Sequence, residues 1–326
     1  MEDIQQTTDN TEIQFVSSVA QKIKKEMAKV IIGQENAIDL MLSALFIGGH
    51  ILIEGVPGIA KTLTAKTLAK TIESDFSRIQ FTPDLMPTDI IGTSVFNIRD
   101  SEFTFKAGPV FSNIILIDEI NRSPAKTQAA LFELMEEKQV SVDGITYPMS
   151  YPFMVLATQN PIEQEGTYRL PEAQLDRFIF RIIMEYPNFE EEKQILYRFN
   201  NDFNNNISKE VKTVVNANEI KRCSELVEQV FIKDEIINYI AQVVYSTRNH
   251  GDLFLGASPR ASLSLLKSSK AFAAISGRNF VTPDDVRTVS SAVLNHRIIP
   301  SPEKEMEGIT AQDIIQQIIQ KIEVPR

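Results

Sequence analysis

The sequence has little of what marks disulfide-bonded, secreted or membrane-spanning proteins. Its 326 residues include one cysteine, Cys223, and no tryptophan. A single cysteine excludes an internal disulfide framework and suits a reducing compartment. No signal peptide is evident at the polar, acidic start, and the most apolar stretch, residues 41–53, is shorter than the roughly 20 residues that a bilayer span needs. We therefore expect a cytoplasmic protein that does not insert into a membrane.

Positive charge is also scarce. The chain has 33 Lys and Arg against 43 Asp and Glu, a net charge of −10, and no basic run longer than the pair Lys24-Lys25. Proteins that bind nucleic acid gain much of their affinity by neutralising phosphates with a basic face. The charge balance therefore argues against a nucleic-acid partner. The three histidines are scattered without the spacing of metal ligands.

Short apolar runs alternate with helical or loop segments in the first part of the chain, and the pattern predicts an α/β fold. Five runs read as strands that are separated by helices, which favours a mostly parallel sheet sandwiched by helices: residues 51–54, 78–81, 114–117, 153–157 and 178–182. After Tyr186-Pro187 the pattern becomes almost wholly helical, with one polar interruption at residues 200–206. We predict an αβα domain over residues 1–188, beginning with an N-terminal helix, and a smaller all-helical domain over residues 189–326.

A glycine-containing loop follows the first predicted strand and leads into a helix. It reads Gly55-Val56-Pro57-Gly58-Ile59-Ala60-Lys61-Thr62, with Leu63 next, and it fits G-x-x-x-x-G-K-[ST] except that Ala60 replaces the second glycine. Such a loop and helix N-terminus direct backbone N–H groups at phosphates, while the lysine balances their charge and the hydroxyl can ligate Mg²⁺. An alanine is tolerable there if the backbone is already right-handed helical, because only a positive φ demands glycine. The loop predicts a nucleoside triphosphate site with Mg²⁺.

Acidic and amide residues follow two further predicted strands. Asp118 and Glu119 come directly after residues 114–117, and Asn160 follows residues 153–157. The carboxyl ends of parallel strands border the crevice where ligands bind in α/β sheets. Asp118 can hold the Mg²⁺ shell, and Glu119 can orient and deprotonate an attacking water. Asn160 precedes a proline, so it could be a turn residue, but beside the other two motifs we favour a role in positioning water next to the γ-phosphate.

Arg177 lies immediately before the last predicted strand. There it could reach a neighbouring subunit's phosphate and stabilise transition-state charge, as arginine fingers do. The alternative is a surface salt bridge to Asp176 or Glu172, which would be worth little. Arg181 and Arg122 are competing candidates for the same role.

Arg260 occupies the first turn of a helix that Ser258-Pro259 caps and begins. A positive side chain there opposes the helix dipole. We interpret this conflict as a sign that Arg260 serves another group, the γ-phosphate, and that it couples the helical domain to the nucleotide state.

Together these blocks resemble the AAA+ ATPases, and most closely their MoxR group. The similarity spans roughly residues 30–300, and the matching blocks are residues 55–62, 108–111, 117–122, 157–161, 170–178 and 256–260. The resemblance implies an αβα core with a helical lid, assembly into a nucleotide-bridged ring that is commonly a hexamer, and ATP hydrolysis that drives chaperone-like remodelling. Family members are often paired with von Willebrand factor A domain proteins, and they help to assemble complexes or insert metal cofactors.

The resemblance also implies roles for single residues. Asn160 matches the sensor-1 residue, Arg177 the trans-acting finger and Arg260 the sensor-2 arginine. The segment that packs on adenine matches Ile31, Ile32 and Gly33. Within this group an alanine at position 60 is ordinary.

Two segments read as hairpins that could contact the substrate of such a motor. They are residues 93–106 and residues 140–147, and the second has an Asp-Gly pair that favours a tight turn. The resemblance places both near the axial face of the ring, although they could be scaffold decoration. The tip with Asp143 has no Lys or Arg, unlike a hairpin that tracks DNA, which favours a protein client.

Three other functions remain open at this point. The chain could be the motor subunit of a metal chelatase, which the sequence does not distinguish from a chaperone. It could be a ring motor on nucleic acid, which the acidic charge disfavours. It could also be a nucleotide-gated assembly module that hydrolyses ATP too slowly to act as a motor.

Overall fold

Five parallel strands form the central sheet of the protein. The structure is a computed structural model and describes residues 10–56, 58–99, 101–160, 168, 170–201 and 207–325. Its strand order is β10-β1-β9-β6-β3, and every neighbouring pair is parallel. The strands of the described residues are β1 (His50–Glu54), β2 (Ile72–Glu73), β3 (Phe76–Gln80), β4 (Gly92–Asn97), β5 (Glu102–Ala107), β6 (Ile114–Asp118), β7 (Gln139–Val142), β8 (Ile145–Pro148), β9 (Met154–Gln159), β10 (Phe178–Ile183), β11 (Val215–Asn216), β12 (Leu253–Leu255) and β13 (Ile299–Pro300).

Each predicted strand of the core corresponds to one strand of this sheet, so the α/β prediction is confirmed. The strand predicted at residues 78–81 begins and ends earlier, at Phe76–Gln80. All residues of β1 and β6 are buried, as expected for parallel strands that are covered on both faces. Burial on both faces is also why these strands read as continuous apolar runs in the sequence.

Helices cover both faces of the sheet and form the C-terminal region. They are α1 (Asn10–Met27), α2 (Glu35–Phe46), α3 (Lys61–Thr71), α4 (Pro87–Ile91), α5 (Ala125–Glu137), α6 (Glu172–Leu175), α7 (Phe189–Phe199), α8 (Ile207–Glu210), α9 (Ala217–Glu228), α10 (Asp234–Arg248), α11 (Pro259–Ile275), α12 (Pro283–Leu294), α13 (Pro302–Met306) and α14 (Ala311–Lys321). A 3-10 turn spans Ile120–Arg122. In the parts that the structure describes, no helix is both long and apolar enough to cross a bilayer.

The C-terminal region is mostly but not wholly helical, which corrects the all-helical prediction. Strand β11 pairs in parallel with β2, and β12 pairs with β13 in an antiparallel bridge. Strands of two or three residues are too short to show an alternating pattern. The boundary near residue 188 stays a prediction, and residues 202–206 of the predicted polar loop lie outside the described residues.

Both predicted hairpins form. Strands β4 and β5 pair in antiparallel register, as do β7 and β8. The two hairpins contact each other through a hydrogen bond from Ser94 to Asp143 and a stack of Phe105 on Tyr147 with ring centroids 4.7 Å apart. They therefore form one joined unit on the surface of the core.

Candidate active site

The loop between β1 and α3 has the backbone of a phosphate-binding loop. Gly55 has a φ of 154°, and a Cβ there would lie 2.7 Å from the backbone carbonyl oxygen of Met184, so glycine is required. Gly58 has a φ of 88° and is exposed. Pro57 lies outside the described residues. The loop leads directly into the N-terminus of α3, where backbone N–H groups are available to an anion.

Ala60 is not right-handed helical, so the condition under which an alanine is tolerable at this position is not met. It has φ 64° and ψ 23° as the residue that precedes α3. A residue with a Cβ in this left-handed region costs roughly 1–2 kcal/mol. The loop therefore adopts the backbone of the glycine pattern although the glycine is absent, and the alanine carries strain.

Lys61 and Thr62 begin α3 and point toward the carboxyl ends of the central strands. Lys61 Nζ donates hydrogen bonds to the carbonyl oxygens of Gly55 at 2.6 Å and Gln159 at 3.3 Å. Thr62 Oγ1 donates to Asp118 Oδ1 at 3.2 Å. Leu63 follows on the same turn and, with Val56, packs against the core. The structure thus brings the lysine and hydroxyl of the predicted motif to the end of β6.

Asp118 is the last residue of β6, and its buried carboxylate accepts three side-chain hydrogen bonds. Oδ1 accepts from Thr62 and from Thr158 Oγ1, each at 3.2 Å, while Oδ2 accepts from Arg78 Nε at 2.6 Å. A carboxylate beside a hydroxyl is a donor set that suits Mg²⁺, which usually takes one or two protein oxygens and completes its shell with water and phosphate. Thr62 and Asp118 therefore fit a magnesium ion.

Glu119 follows Asp118 in a constrained backbone conformation. Its φ of 59° and ψ of 54° are left-handed, and its N–H donates to Thr158 Oγ1 at 3.1 Å. The carboxylate Oε2 accepts from Gln80 Nε2 at 2.8 Å and lies 3.2 Å from Arg122 Nε. Strained backbone of this kind persists where surrounding contacts fix it, often at functional sites. The half-buried carboxylate is held at the same sheet edge as the phosphate loop.

Asn160 follows β9 at that edge and is buried. The central strands thus deliver Lys61, Thr62, Asp118, Glu119 and Asn160 to one side of the sheet, as their positions after predicted strands implied. Pro161 lies outside the described residues.

The segment predicted to meet adenine borders a groove beneath α7. The groove measures about 370 Å³, and its walls include Ile31, Ile32 and Gly33. Ile31 is buried, whereas Ile32 and Gly33 are half-buried. A Cβ at Gly33 would lie 2.7 Å from Glu191 Cδ, so α7 approaches this segment closely.

Arg177 and Arg260 lie together at the opposite end of the sheet. Arg177 directly precedes β10, whose first residue, Phe178, is in register with His50, the first residue of β1. Both guanidiniums bind Glu136 near the end of α5: Arg177 Nε at 2.6 Å and Arg260 Nη2 at 2.9 Å. The salt-bridge partner of Arg177 is thus Glu136, and not Asp176 or Glu172 as the alternative from the sequence had it.

The length of β1 separates this arginine pair from the phosphate loop. Five residues of strand span roughly 15 Å, with His50 at one end and Gly55 just beyond the other. Arg260 therefore does not lie beside the chain's own Lys61. If it serves a γ-phosphate, the phosphate would belong to another subunit, and its role stays a prediction.

Each competing arginine contacts a carboxylate near the carboxyl ends of the strands, although Arg181 itself lies in the middle of β10, in register with Leu52. Arg181 Nη2 donates to Glu54 Oε2 at 2.6 Å, and its Nη1 donates to the carbonyl oxygen of Asn295 at 3.3 Å. Arg122 pairs with Glu119. Arg181 and Arg122 each pair with a carboxylate near the phosphate-loop end of the sheet, whereas Arg177 pairs with Glu136 at the other end.

Cationic side chains dominate the cleft around Arg177 and Arg260. This cleft measures about 300 Å³ and holds five cations against two carboxylates: Lys138, Arg177, Arg260, Lys267 and Arg297, with Glu136 and Asp176. The hydrogen bond from Arg177 is the main reason that the pKa of Glu136 is lowered. The cleft suits a polyanionic group such as a phosphate.

Several contacts of the site were not identified from the sequence. Arg78 and Gln80 alternate along β3 beside β6, and Gln80 is in register with Asp118, so correct strand pairing would have indicated them. Thr158 lies in a motif that the sequence singled out, but its link to Asp118 was missed. Nothing in the local sequence marks Glu136.

Comparison with known proteins gives the family of the chain. Residues 50–180 match the model of the ATPase family associated with various cellular activities (AAA), and residues 245–318 match the AAA lid domain. The chain is 43% identical to the uncharacterised protein YeaC of Bacillus subtilis, over 93% of the chain and 94% of YeaC. It is 42% identical to Chaperone MoxR1 of Mycobacterium tuberculosis, over 92% of the chain and 81% of that protein.

A solved structure is similar over almost the whole chain. It is a crystal structure of a protein from Cytophaga hutchinsonii that is provisionally named an ATPase, with 44% identity and a TM-score of 0.89. The superposition covers 97% of this chain and 98% of the other.

Proposed function

Because the chain belongs to the MoxR family of AAA+ ATPases, we propose that it binds ATP with Mg²⁺ and hydrolyses it at the subunit interfaces of a ring. The ring is a homo-oligomer, hexameric as is common in the family. Hydrolysis drives the chaperone-like remodelling or assembly of partner proteins in the cytoplasm.

One observation supports this proposal: the residues that we assign to the two halves of a hydrolytic site lie at opposite ends of the strands of the same sheet. The phosphate loop, Asp118 and Glu119 are at the carboxyl ends of the strands, and Arg177 with Arg260 is at the amino ends. A strand of roughly 15 Å keeps them apart within one chain. In a ring, the amino-end edge of one subunit would face the carboxyl-end edge of the next and complete the site.

Each side chain then has a defined task. Lys61 would balance β- and γ-phosphate charge, and Thr62 and Asp118 would hold Mg²⁺, which would neutralise charge on the phosphate oxygens. Glu119 takes a proton from the attacking water, which Asn160 helps to position. The arginine of the neighbouring subunit at position 177 stabilises the charge that develops on the transferred phosphoryl group.

The client that fits the surface is a protein. The β4–β5 hairpin exposes Phe96, Phe103 and Ile98, the last at 84%, and the two phenylalanine rings lie 5.2 Å apart. Exposed apolar groups of this kind suit apolar segments of another polypeptide. MoxR1, the relative with 42% identity, is named a chaperone. A von Willebrand factor A domain protein is the partner that the family suggests.

The test mixes two inactive variants. Arg177→Ala subunits keep an intact phosphate loop and Glu119, while Glu119→Gln subunits keep an intact arginine. Each variant alone should bind ATP and hydrolyse it slowly. Mixed at ring-forming concentration, they should regain part of the wild-type rate, because some interfaces then combine both intact halves.

Two results would refute the proposal. Mixtures that never exceed the separate variants would refute an arginine that acts in trans, and brisk hydrolysis by a lone monomer would refute interface catalysis. Salt-sensitive stimulation of turnover by DNA would instead identify a nucleic-acid motor.

A further inference from the structure

Glu136 joins the two arginines of the amino-end edge into one cluster. Its Oε2 lies 2.6 Å from both Nε and Nη2 of Arg177, and its Oε1 lies 2.9 Å from Nη2 of Arg260. The carboxylate is 38% exposed. Arg177 comes from the start of β10 and Arg260 from α11, so a residue of a third element, α5, holds the pair together.

Stability alone does not explain a carboxylate at this position. Glu136 lies in the last turn of α5, where the helix dipole disfavours negative charge. Ion pairs as exposed as these contribute between about 0 and 1 kcal/mol. Glu137 shares this unfavourable position, so what distinguishes Glu136 is its contact with two arginines from other elements.

The backbone beneath Glu136 is fixed to the central sheet. The carbonyl oxygen of Met135 accepts a hydrogen bond from His50 Nε2 at 3.0 Å. Because Val155 N–H donates to Nδ1 of the same ring, the ring proton must lie on Nε2. The carboxylate is therefore presented from an element that is tied to the first residue of β1.

Glu136 does not contact every N–H donor of either guanidinium. Its carboxylate contacts Nε and Nη2 of Arg177 but not Nη1, and it contacts only Nη2 of Arg260. The carboxylate also offsets the repulsion that two neighbouring guanidiniums would feel. Two arginines held in this way can still bind the terminal oxygens of a phosphate.

We propose that Glu136 is a positioning residue that holds Arg177 and Arg260 as one preassembled pair for the γ-phosphate of the adjacent subunit. This inference rests on the proposed function. Donors that are already in place stabilise transition-state charge without reorganisation at the moment of reaction, so the carboxylate raises turnover without touching the nucleotide.

The experiment compares Glu136→Gln with Glu137→Gln. Glu137 is exposed on the same turn, and no salt bridge found among the described residues joins it to either guanidinium. In Glu136→Gln we expect kcat to fall by roughly tenfold, because small misplacements of a catalytic group are costly, with ATP affinity and ring assembly unchanged. Glu137→Gln should behave as wild type. Glu136→Asp, which keeps the charge on a shorter side chain, should be intermediate.

Mixed rings separate positioning in trans from damage to the variant's own site. Glu136→Gln subunits mixed with Lys61→Ala subunits should regain turnover, because the latter supply intact arginine pairs. Glu136→Gln mixed with Arg177→Ala should not, since neither variant supplies a complete pair.

Three outcomes would overturn the inference: turnover of Glu136→Gln within about twofold of wild type, a rise in turnover, or weakened ATP binding by its own loop. If Arg177→Ala still loses activity in those cases, the proposed function stands and only the role of Glu136 fails. If Arg177→Ala turns over normally, the proposed function itself fails.

Discussion

Arg78 Nε donates a 2.6 Å hydrogen bond to Asp118 Oδ2, so the carboxylate assigned to Mg²⁺ already has a cationic partner. The guanidinium side chain is 55% exposed, whereas that of Asp118 is 7% exposed. The exposed guanidinium can be hydrated when it leaves the pair, but the buried carboxylate then needs another cation, which Mg²⁺ would supply. The pair places a competitor beside the metal site.

Removing this competitor should strengthen metal binding. In Arg78→Ala we expect the Mg²⁺ concentration for half-maximal nucleotide binding to fall by roughly fivefold or more, since a fully exposed pair is worth up to about 1 kcal/mol and the carboxylate of this pair is buried. A titration of labelled nucleotide against Mg²⁺ measures this. Arg78→Lys, which keeps the charge, is the control, and a higher Mg²⁺ requirement in Arg78→Ala would contradict the competition.

Lys61→Ala should weaken ATP binding by roughly a hundredfold or more, because charge-assisted hydrogen bonds to phosphate are lost. Equilibrium binding of ATP is the measurement. Lys66→Ala is a matched control, because Lys66 is exposed on the same helix. Equal affinity in the two variants would show that the loop does not bind triphosphate as assigned.

Glu119→Gln should bind ATP as the wild type does but hydrolyse it at least a hundredfold more slowly, as general-base catalysis contributes about 10²–10⁴-fold. Single-turnover hydrolysis at ring-forming concentration reports the chemical step. Gln80→Ala, which removes one contact of that carboxylate, should have a milder effect. Normal single-turnover rates in Glu119→Gln would assign the base elsewhere.

Ala60→Gly should stabilise the protein by up to about 1 kcal/mol, because glycine accepts the left-handed backbone without a Cβ clash, although it costs chain entropy. Denaturant unfolding measures the change, and Ala60→Val should be destabilised. A loss of stability in Ala60→Gly would contradict the strain assigned to this position.

Stability should fall in mild acid because His50 is buried and neutral. Burial lowers its pKa to about 4, against about 6.5 in an unfolded chain. As the pH drops from about 6.5 to about 4, the unfolded chain takes up a proton that the folded protein excludes, so the free energy of unfolding decreases, by at most roughly 3 kcal/mol.

Unfolding in the same pH range also tests the contribution of His50 alone. Unfolding measured between pH 7 and pH 4 should show a shallower slope in His50→Asn, because that variant cannot take up the proton. Some slope should remain, since burial also lowers the pKa of His296. An unchanged slope in His50→Asn would show that this histidine does not contribute.

The sheet and the cluster of polar residues at the carboxyl ends of its strands could be predicted because their signals are local. Buried parallel strands read as apolar runs, and Asp118, Asn160 and Lys61 follow such runs by one, three and seven residues, respectively. A residue that directly follows a central strand lies at the carboxyl end of the sheet, and this does not depend on the rest of the chain.

What depends on partners distant in sequence could not be predicted. Glu136 lies 41 residues from Arg177 and 124 from Arg260, and no local pattern links them. The positive φ of Ala60 is imposed by the loop against a residue type that disfavours it. The paired strands β2 and β11 have only two residues each, which is too few for a period to appear.

The position of β1 has a consequence for communication between subunits. Its five residues are all buried, with the phosphate loop attached at one end and His50, tied to the backbone next to Glu136, at the other. In a closed ring of such subunits, β1 would connect the nucleotide bound by one subunit to the arginines that face the next subunit. Successive hydrolysis events would then be coupled with a single rotational sense around the ring.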